Sequence, residues 1–270
     1  ILFRYAENFA QGHGIVWNVG QPPVEGATAF LWVVVLGVAN MIGFGIPFTA
    51  QVIGFASALG VSGLILYKHR TVEGVILACI FALSPVTIQY LSGFSAPLFS
   101  LLIVGWIYFH DKKHYTGVAV VSLLMGLLRP EGVILAVLLY LSDYKQWKAW
   151  YKDALIYFVG LGAIYFVGRW MYFGYMLPNT FYVKSAGGLL HFGGIDNYIP
   201  FYFVAGLIFW QARHDKRAWT LLLFPLFYLL IEQWQNVGWR FQYPVLAGLL
   251  YLARPKQPYT SIAGVFCIIL

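Results

Sequence analysis

The sequence predicts an all-α, polytopic transmembrane helical bundle with an interfacial helix and loops on its outer face. Three observations carry that reading. Only 10% of the 270 residues are charged, 60% are apolar, and the mean hydropathy is +0.73. A water-soluble domain covers itself with roughly 25% charged residues, so most of this surface is expected to face hydrocarbon. Apolar runs of helical length recur along the chain, and basic clusters fill alternate breaks between them.

The same numbers exclude other classes. A net charge of +7 suggests nucleic acid only when the basic residues form a stripe on a soluble face. Here they sit in short clusters between apolar runs, where anionic headgroups are the simpler partner. Cys79 and Cys267 lie inside apolar runs and read as small buried hydrophobes. At roughly 20 residues per spanning helix, residues 1–270 form one transmembrane domain of about nine or ten crossings. The chain begins at Ile1 and stops inside the apolar run ending at Leu270. It is therefore expected to be truncated at both ends, with a first helix and any C-terminal outer domain absent.

The elements follow in order. In residues 1–11, Leu2, Tyr5, Ala6 and Phe9 share one helical face, and Arg4, Glu7, Asn8 and Gln11 share another. Gly12 and Gly14 stop that helix. A short amphipathic helix of this kind lies in the interface plane. Apolar runs then occupy 27–45, 49–67, 72–91, 96–110, 116–128, 132–142, 154–174, 198–211, 218–231, 241–253 and 259–270. Two of them, 116–128 and 132–142, are too short to span alone and flank the turn Leu128-Arg-Pro-Glu-Gly132. They read either as two full helices meeting at one interface or as a broken pair.

Basic clusters stand at Lys68/Arg70, Lys112/Lys113, Lys145/Lys148/Lys152, Arg213/Lys216/Arg217 and Arg254/Lys256. They hold 12 of the 17 Lys and Arg residues. Short loops rich in Lys and Arg stay cytoplasmic, so residues 1–26, 85–95, 128–132, 175–197 and 232–240 are expected to face outward. The inward breaks read as plain anchors. The outward breaks hold Glu7, Glu25, Glu131, Asp196 and Glu232, with His13 and His191, so any chemistry is expected on the outer face.

Four ordered motifs go further. They are Phe3-Arg-Tyr-Ala-Glu-Asn-Phe-Ala-Gln-Gly-His-Gly-Ile-Val-Trp-Asn18 with Val24-Glu-Gly26, Arg129-Pro-Glu-Gly132, Leu177-Pro-Asn-Thr-Phe-Tyr-Val-Lys184, and Trp239-Arg-Phe-Gln-Tyr-Pro244. Together they resemble the GT-C fold, polyprenyl-phosphate-sugar-dependent glycosyltransferases, in particular the mycobacterial terminal arabinofuranosyltransferase family. The resemblance implies a multi-pass enzyme of the bacterial inner (plasma) membrane with its active face outward. It implies sugar transfer from a polyprenyl-phosphate donor to a glycan or protein acceptor hydroxyl, with membrane lipids as the other partner and no nucleic acid. No cofactor is expected, and a divalent cation is optional. Two departures stand out. The family's aspartate pair, which includes its base, falls upstream of Ile1. Its glutamate near position 93 is absent from Ser92-Gly-Phe-Ser-Ala-Pro97.

That chemistry needs a carboxylate to take the acceptor proton and cations to stabilise the leaving phosphate. Arg129, Lys184 and Arg240 are the outward basic residues placed for the phosphate, although Arg129 and Glu131 also read as a pair fixing their turn. Glu25 is the named candidate base among Glu7, Glu25 and Glu131, with a sugar-hydroxyl ligand as its other reading. Glu7 reads as an ion-pair partner of Arg4. Sugar or acceptor contacts are assigned to His13, Asn18, Glu131, Asn179 and Trp239. Trp17, Trp32 and Trp239 read equally as an interfacial aromatic belt. No metal-ligand spacing is present. Two other functions fit the same composition, a non-catalytic scaffold subunit and a transporter or flippase of a lipid-linked substrate. Transporters favour ionisable groups near the bilayer midplane and inverted repeats, and neither is visible here.

Overall fold

The computed structural model describes residues 1–83, 86–179, 198–230, 236 and 239–254. Their regular elements are all helical, with no strand among the described residues. Helix α1 (Leu2–Ala10) is followed by α2 (Phe30–Met41), α3 (Ile46–Lys68), α4 (Val72–Ala82), α5 (Val86–Leu91), α6 (Ala96–Asp111), α7 (Tyr115–Leu128) and α8 (Glu131–Ser142). One continuous helical stretch, Tyr144–Phe173, contains α9 (Trp147–Asp153), a π-helical segment (Ala154–Gly160) and α10 (Leu161–Phe173). Helices α11 (Tyr198–Ala212), α12 (Lys216–Leu223) and α13 (Tyr243–Leu252) complete the described chain.

Two of these are long and apolar enough to cross a membrane, the 23-residue α3 and the 30-residue Tyr144–Phe173 stretch. At 1.5 Å per residue α3 reaches roughly 35 Å, against a hydrocarbon core of about 30 Å. Both carry large apolar side chains on open surface. On α3 these include Phe48, Phe55 and Leu59, and on the longer stretch Leu155, Ile156, Ile164 and Met171. Cys79 also faces outward from α4, where a buried position was expected; Cys267 lies outside the described residues.

The interior is built around α13. All ten of its residues are buried, and it packs most extensively on α6. A helix that is apolar all round belongs inside a protein. Gly248 lets it sit close, since a Cβ there would meet Leu221 at 2.6 Å and Ile103 at 3.0 Å. Helices α7 and α8 resolve the open reading of 116–142. They form an antiparallel pair closed by Arg129-Pro130, with Gly132 against the Met125 carbonyl and Ser122 Oγ 3.3 Å from the Tyr140 hydroxyl.

The apolar run at 27–45 differs from the expectation of a full crossing. Its helix, α2, has 12 residues, roughly 18 Å long. Near its start Trp32 Nε1 donates to the Gly93 carbonyl at 3.2 Å. Near its end Asn40, with Ile46 and Pro47 at the start of α3, lines a cleft with α1. Gly37 admits the Phe9 ring, which would stand 2.4 Å from a Cβ there. Helices α1 and α2 thus pack together across one end of the bundle, and α3 starts from that same end, with Gln51 Nε2 donating to the Leu91 carbonyl at 2.8 Å.

That loop end gathers the described parts of the breaks assigned to one side by their charge. Tyr5 donates to the Val24 carbonyl, Ile15 N–H donates to the Tyr172 hydroxyl, Arg169 reaches Glu25, and Arg129 reaches the Arg240 carbonyl. The opposite, basic end carries an ion-pair network where plain anchors were expected. Arg217 meets Asp111 at 2.7 Å and Asp215 at 2.6 Å, Lys68 meets Asp111 at 3.7 Å, and His110 Nε2 lies 2.8 Å from Asp143.

Candidate functional site

The loop end holds three charged groupings. In the first, Arg129 is the residue where α7 ends, directly before the proline that opens α8. Its Nε donates to Glu131 at 2.7 Å and its Nη1 to the Arg240 carbonyl at 3.1 Å. The rings of Phe99, Tyr228 and Phe241 surround its guanidinium at 5.3 to 5.9 Å. Tyr228 donates to the same Glu131 oxygen at 3.0 Å. Burial works against the Arg129 charge, but Glu131 outweighs it and holds the guanidinium above its usual range. Arg129 is therefore a structural clamp on its own turn and on the backbone of Arg240, already neutralised by its neighbour.

Arg240 differs in this respect. Its guanidinium stacks on Phe94 and Phe241, each at 4.7 Å, and meets no carboxylate among the described residues. Burial, with the Arg129 charge nearby, pushes it down to about 10. It remains cationic at neutral pH, and among the described residues the carboxylate whose charge reaches it is Glu131, which is already paired with Arg129. The position of Arg240 is fixed from both sides. Asn236 accepts from the Phe241 N–H at 3.4 Å, and Trp239 is held at φ 52°, a left-handed conformation that is rare for a bulky residue.

In the second grouping Glu25 and Arg169 face each other from 144 residues apart, fork to fork. Their side chains are 7% and 6% exposed. Arg169 also donates to the Met176 carbonyl at 2.9 Å. Both Glu25 oxygens are committed to the guanidinium and closed to solvent, so Glu25 does not present a free base to a substrate. The pair ties the loop before α2 to the end of α10.

The third grouping lies on α1. Arg4 donates to Asn18 at 3.2 Å and covers the Trp17 ring at 4.5 Å. Asn18 in turn donates to Gln21. Asn8 pins the returning loop through the Val16 carbonyl at 2.8 Å. The expected Arg4–Glu7 ion pair does not form, because Asn18 and Trp17 hold Arg4. Glu7 is left exposed beside an open cleft of about 670 Å³ between α1 and the α2–α3 turn.

The sequence-derived candidates therefore divide. Arg129, Glu131, Arg240 and Trp239 come together. Glu25 belongs to a separate pair, and His13 and Asn18 sit exposed on the loop after α1. Asn179 is exposed, and Lys184 lies outside the described residues, as do His191, Asp196 and Glu232. Trp239 is 8% exposed and edge-on to Phe201 at 6.2 Å, so it is a packing residue and offers no open face to a sugar. The importance of Arg169 was missed, although its place inside an apolar run marked it as unusual; its partner lies 144 residues away. Among the described residues no three His, Cys, Asp or Glu side chains cluster as metal ligands. No family model, curated protein or solved structure matches the chain.

Proposed function

We propose that this chain is a multi-pass membrane glycosyltransferase that moves a sugar from a polyprenyl-phosphate donor to an acceptor hydroxyl at its loop end. The observation that carries the reading is Arg240, a largely desolvated guanidinium in direct contact with no carboxylate among the described residues, its backbone held by a second arginine 111 residues away in sequence. An uncompensated cation in a low-dielectric setting is a ready anion site. Two of the four motifs that resemble the GT-C glycosyltransferases supply its frame. The exposed apolar faces of α3 and the Tyr144–Phe173 stretch support residence in a bilayer.

In the proposed reaction the bond from the sugar's anomeric carbon to the phosphate oxygen breaks and a bond to the acceptor oxygen forms. The acceptor proton passes to a carboxylate, and polyprenyl phosphate leaves with the electron pair. Arg240 stabilises the charge on that leaving oxygen. Arg129 acts through Arg240 as a positioning residue. The proton acceptor is a group other than Glu25 or Glu131, both of which are engaged by arginines.

The test is incorporation of labelled sugar from a polyprenyl-phosphate donor in membranes carrying the full-length gene. Arg240→Ala is expected to lose about a hundredfold in rate, the scale of removing one charge-stabilising donor, while still inserting. Full activity in that variant defeats the assignment. The commitment of Glu25 and Glu131 to arginines favours a second reading, a non-catalytic scaffold, in which the wild type transfers nothing.

A further inference from the structure

We propose that the cleft between α1 and the α2–α3 turn binds a sugar ring, with Glu7 as its principal hydrogen-bonding group. Three features of the cleft point to that ligand. Its volume, about 670 Å³, lies within the range of small-molecule sites. Its rim is polar without being strongly charged, with Glu7, Gln11, Arg4 and Asn40 arranged around it, while Phe3 and Pro47 supply apolar surface. A sugar presents hydroxyls at its edge and C–H groups on its faces, and this lining matches both. An inorganic anion would meet Glu7, and a purely apolar ligand would strand the amides.

The rim is also set in advance, which lowers the cost of binding. Glu7 on α1 and Gln11, the residue that caps it, are one helical turn apart and point the same way. Arg4 is held by Asn18 and Trp17, as described above. The Asn40 amide donates to the Phe44 carbonyl at 3.2 Å, which turns its own oxygen free. Of the three glutamates at the loop end placed by sequence as candidate bases, Glu7 is the one without a cationic partner among the described residues. A carboxylate in this state accepts from two neighbouring hydroxyls at once.

The cleft adjoins the arginine site. The Phe3 ring rests on Gly93, where a Cβ would stand 2.8 Å from it, and the next residue, Phe94, carries the Arg240 guanidinium. The sugar cleft and the Arg240 guanidinium thus flank one two-residue turn. Assigning the bound ring to the acceptor or to the donor rests on the transferase reading, whereas sugar binding itself rests on the cleft.

The experiment separates these. Purified full chain in nanodiscs is titrated with a panel of methyl glycosides, both furanosides and pyranosides, and binding is read by saturation-transfer NMR. Glu7→Gln and Gln11→Trp, both on an exposed helix face, are compared with wild type after gel filtration confirms folding. The wild type should bind at least one glycoside. Glu7→Gln should weaken it by about tenfold or more, the scale of a hydrogen bond to a charged group, and Gln11→Trp should block it by filling the cleft. Absence of binding across the panel, or unchanged affinity in both variants, overturns the proposal. In parallel transfer assays, a raised acceptor KM in Glu7→Gln places the acceptor in the cleft, and a raised donor KM places the donor sugar there. Glycoside binding without any transfer leaves the cleft standing and removes the transferase reading. Transfer with cleft variants indistinguishable from wild type does the reverse.

Discussion

At the basic end of the bundle Arg217 is met by two aspartates and His110 by a third, while at the loop end Arg240 meets, among the described residues, aromatic faces and the approach of a second arginine. Both ends are partly buried and both lie at helix termini, so burial alone does not explain the contrast. The basic end spends its charges on itself, as a scaffold does. The loop end closes two arginines with Glu25 and Glu131 and, among the described residues, leaves one cation and one carboxylate, Arg240 and Glu7, without an ion pair. Leaving the partly buried Arg240 without an ion pair is costly to the fold, and an anionic ligand offsets it, whereas the exposed Glu7 costs the fold little. The comparison therefore teaches where to look for binding, namely where the pairing stops.

The largest expected effect tests Arg240. Arg240→Gln should cut sugar transfer by about a hundredfold and leave the melting temperature in detergent unchanged or raised, because an unpaired charge is removed. A melting temperature that falls with activity would make Arg240 one more structural cation. Next, Glu25→Gln leaves Arg169 buried and unmatched, and should cost about 3 to 5 kcal/mol in unfolding. The double replacement Glu25→Leu with Arg169→Met should recover most of it, and a double variant no better than the single would show that the pair does not act as a unit. Arg129→Met is expected to lose about 3 kcal/mol by the same mechanism, and to raise the donor KM by loosening the Arg240 backbone. Pairing it with Glu131→Gln should restore stability more than KM.

The basic end should respond to acid. Burial raises the Asp215 carboxyl, but hydrogen bonds and charge from Arg217 outweigh it and hold the group below its usual range. A depressed carboxylate contributes stability that is complete above its unfolded pKa near 4 and is lost as pH falls through the lower folded value. Melting curves from neutral pH down through that window should fall for wild type and fall less for Asp215→Asn. The smallest effect is at Lys113, which follows α6 in the left-handed region at φ 56°. Lys113→Gly should gain about 1 kcal/mol with transfer unaffected.

The all-helical character, the amphipathic α1 and the grouping of the described motif loops at one end were legible because they depend on local periodicity and on the sorting of Lys and Arg. The crossings were not: the run at 72–91 is two helices, and among the described residues two helical stretches, rather than about nine or ten, reach spanning length. Nor was the half-length α2. Its apolar composition equals that of a spanning helix, and only its contacts with Phe9 and Gly93 show that it lies across the end. The Arg129–Glu131 pair was readable because a single residue separates its members. The Glu25–Arg169 pair joins positions 144 apart, beyond any pattern within a window. The same reason hid Glu7, whose freedom follows from Asn18 and Trp17 capturing Arg4.

The enclosed α13 has a consequence for how the molecule assembles. Its inner partner α6 is made more than a hundred residues earlier, so the earlier helices emerge around a place that is still empty. They must remain loosely associated until a late segment fills it. Sequence changes that tighten the early helices against one another would then shut out α13, slowing maturation even where they strengthen the finished protein.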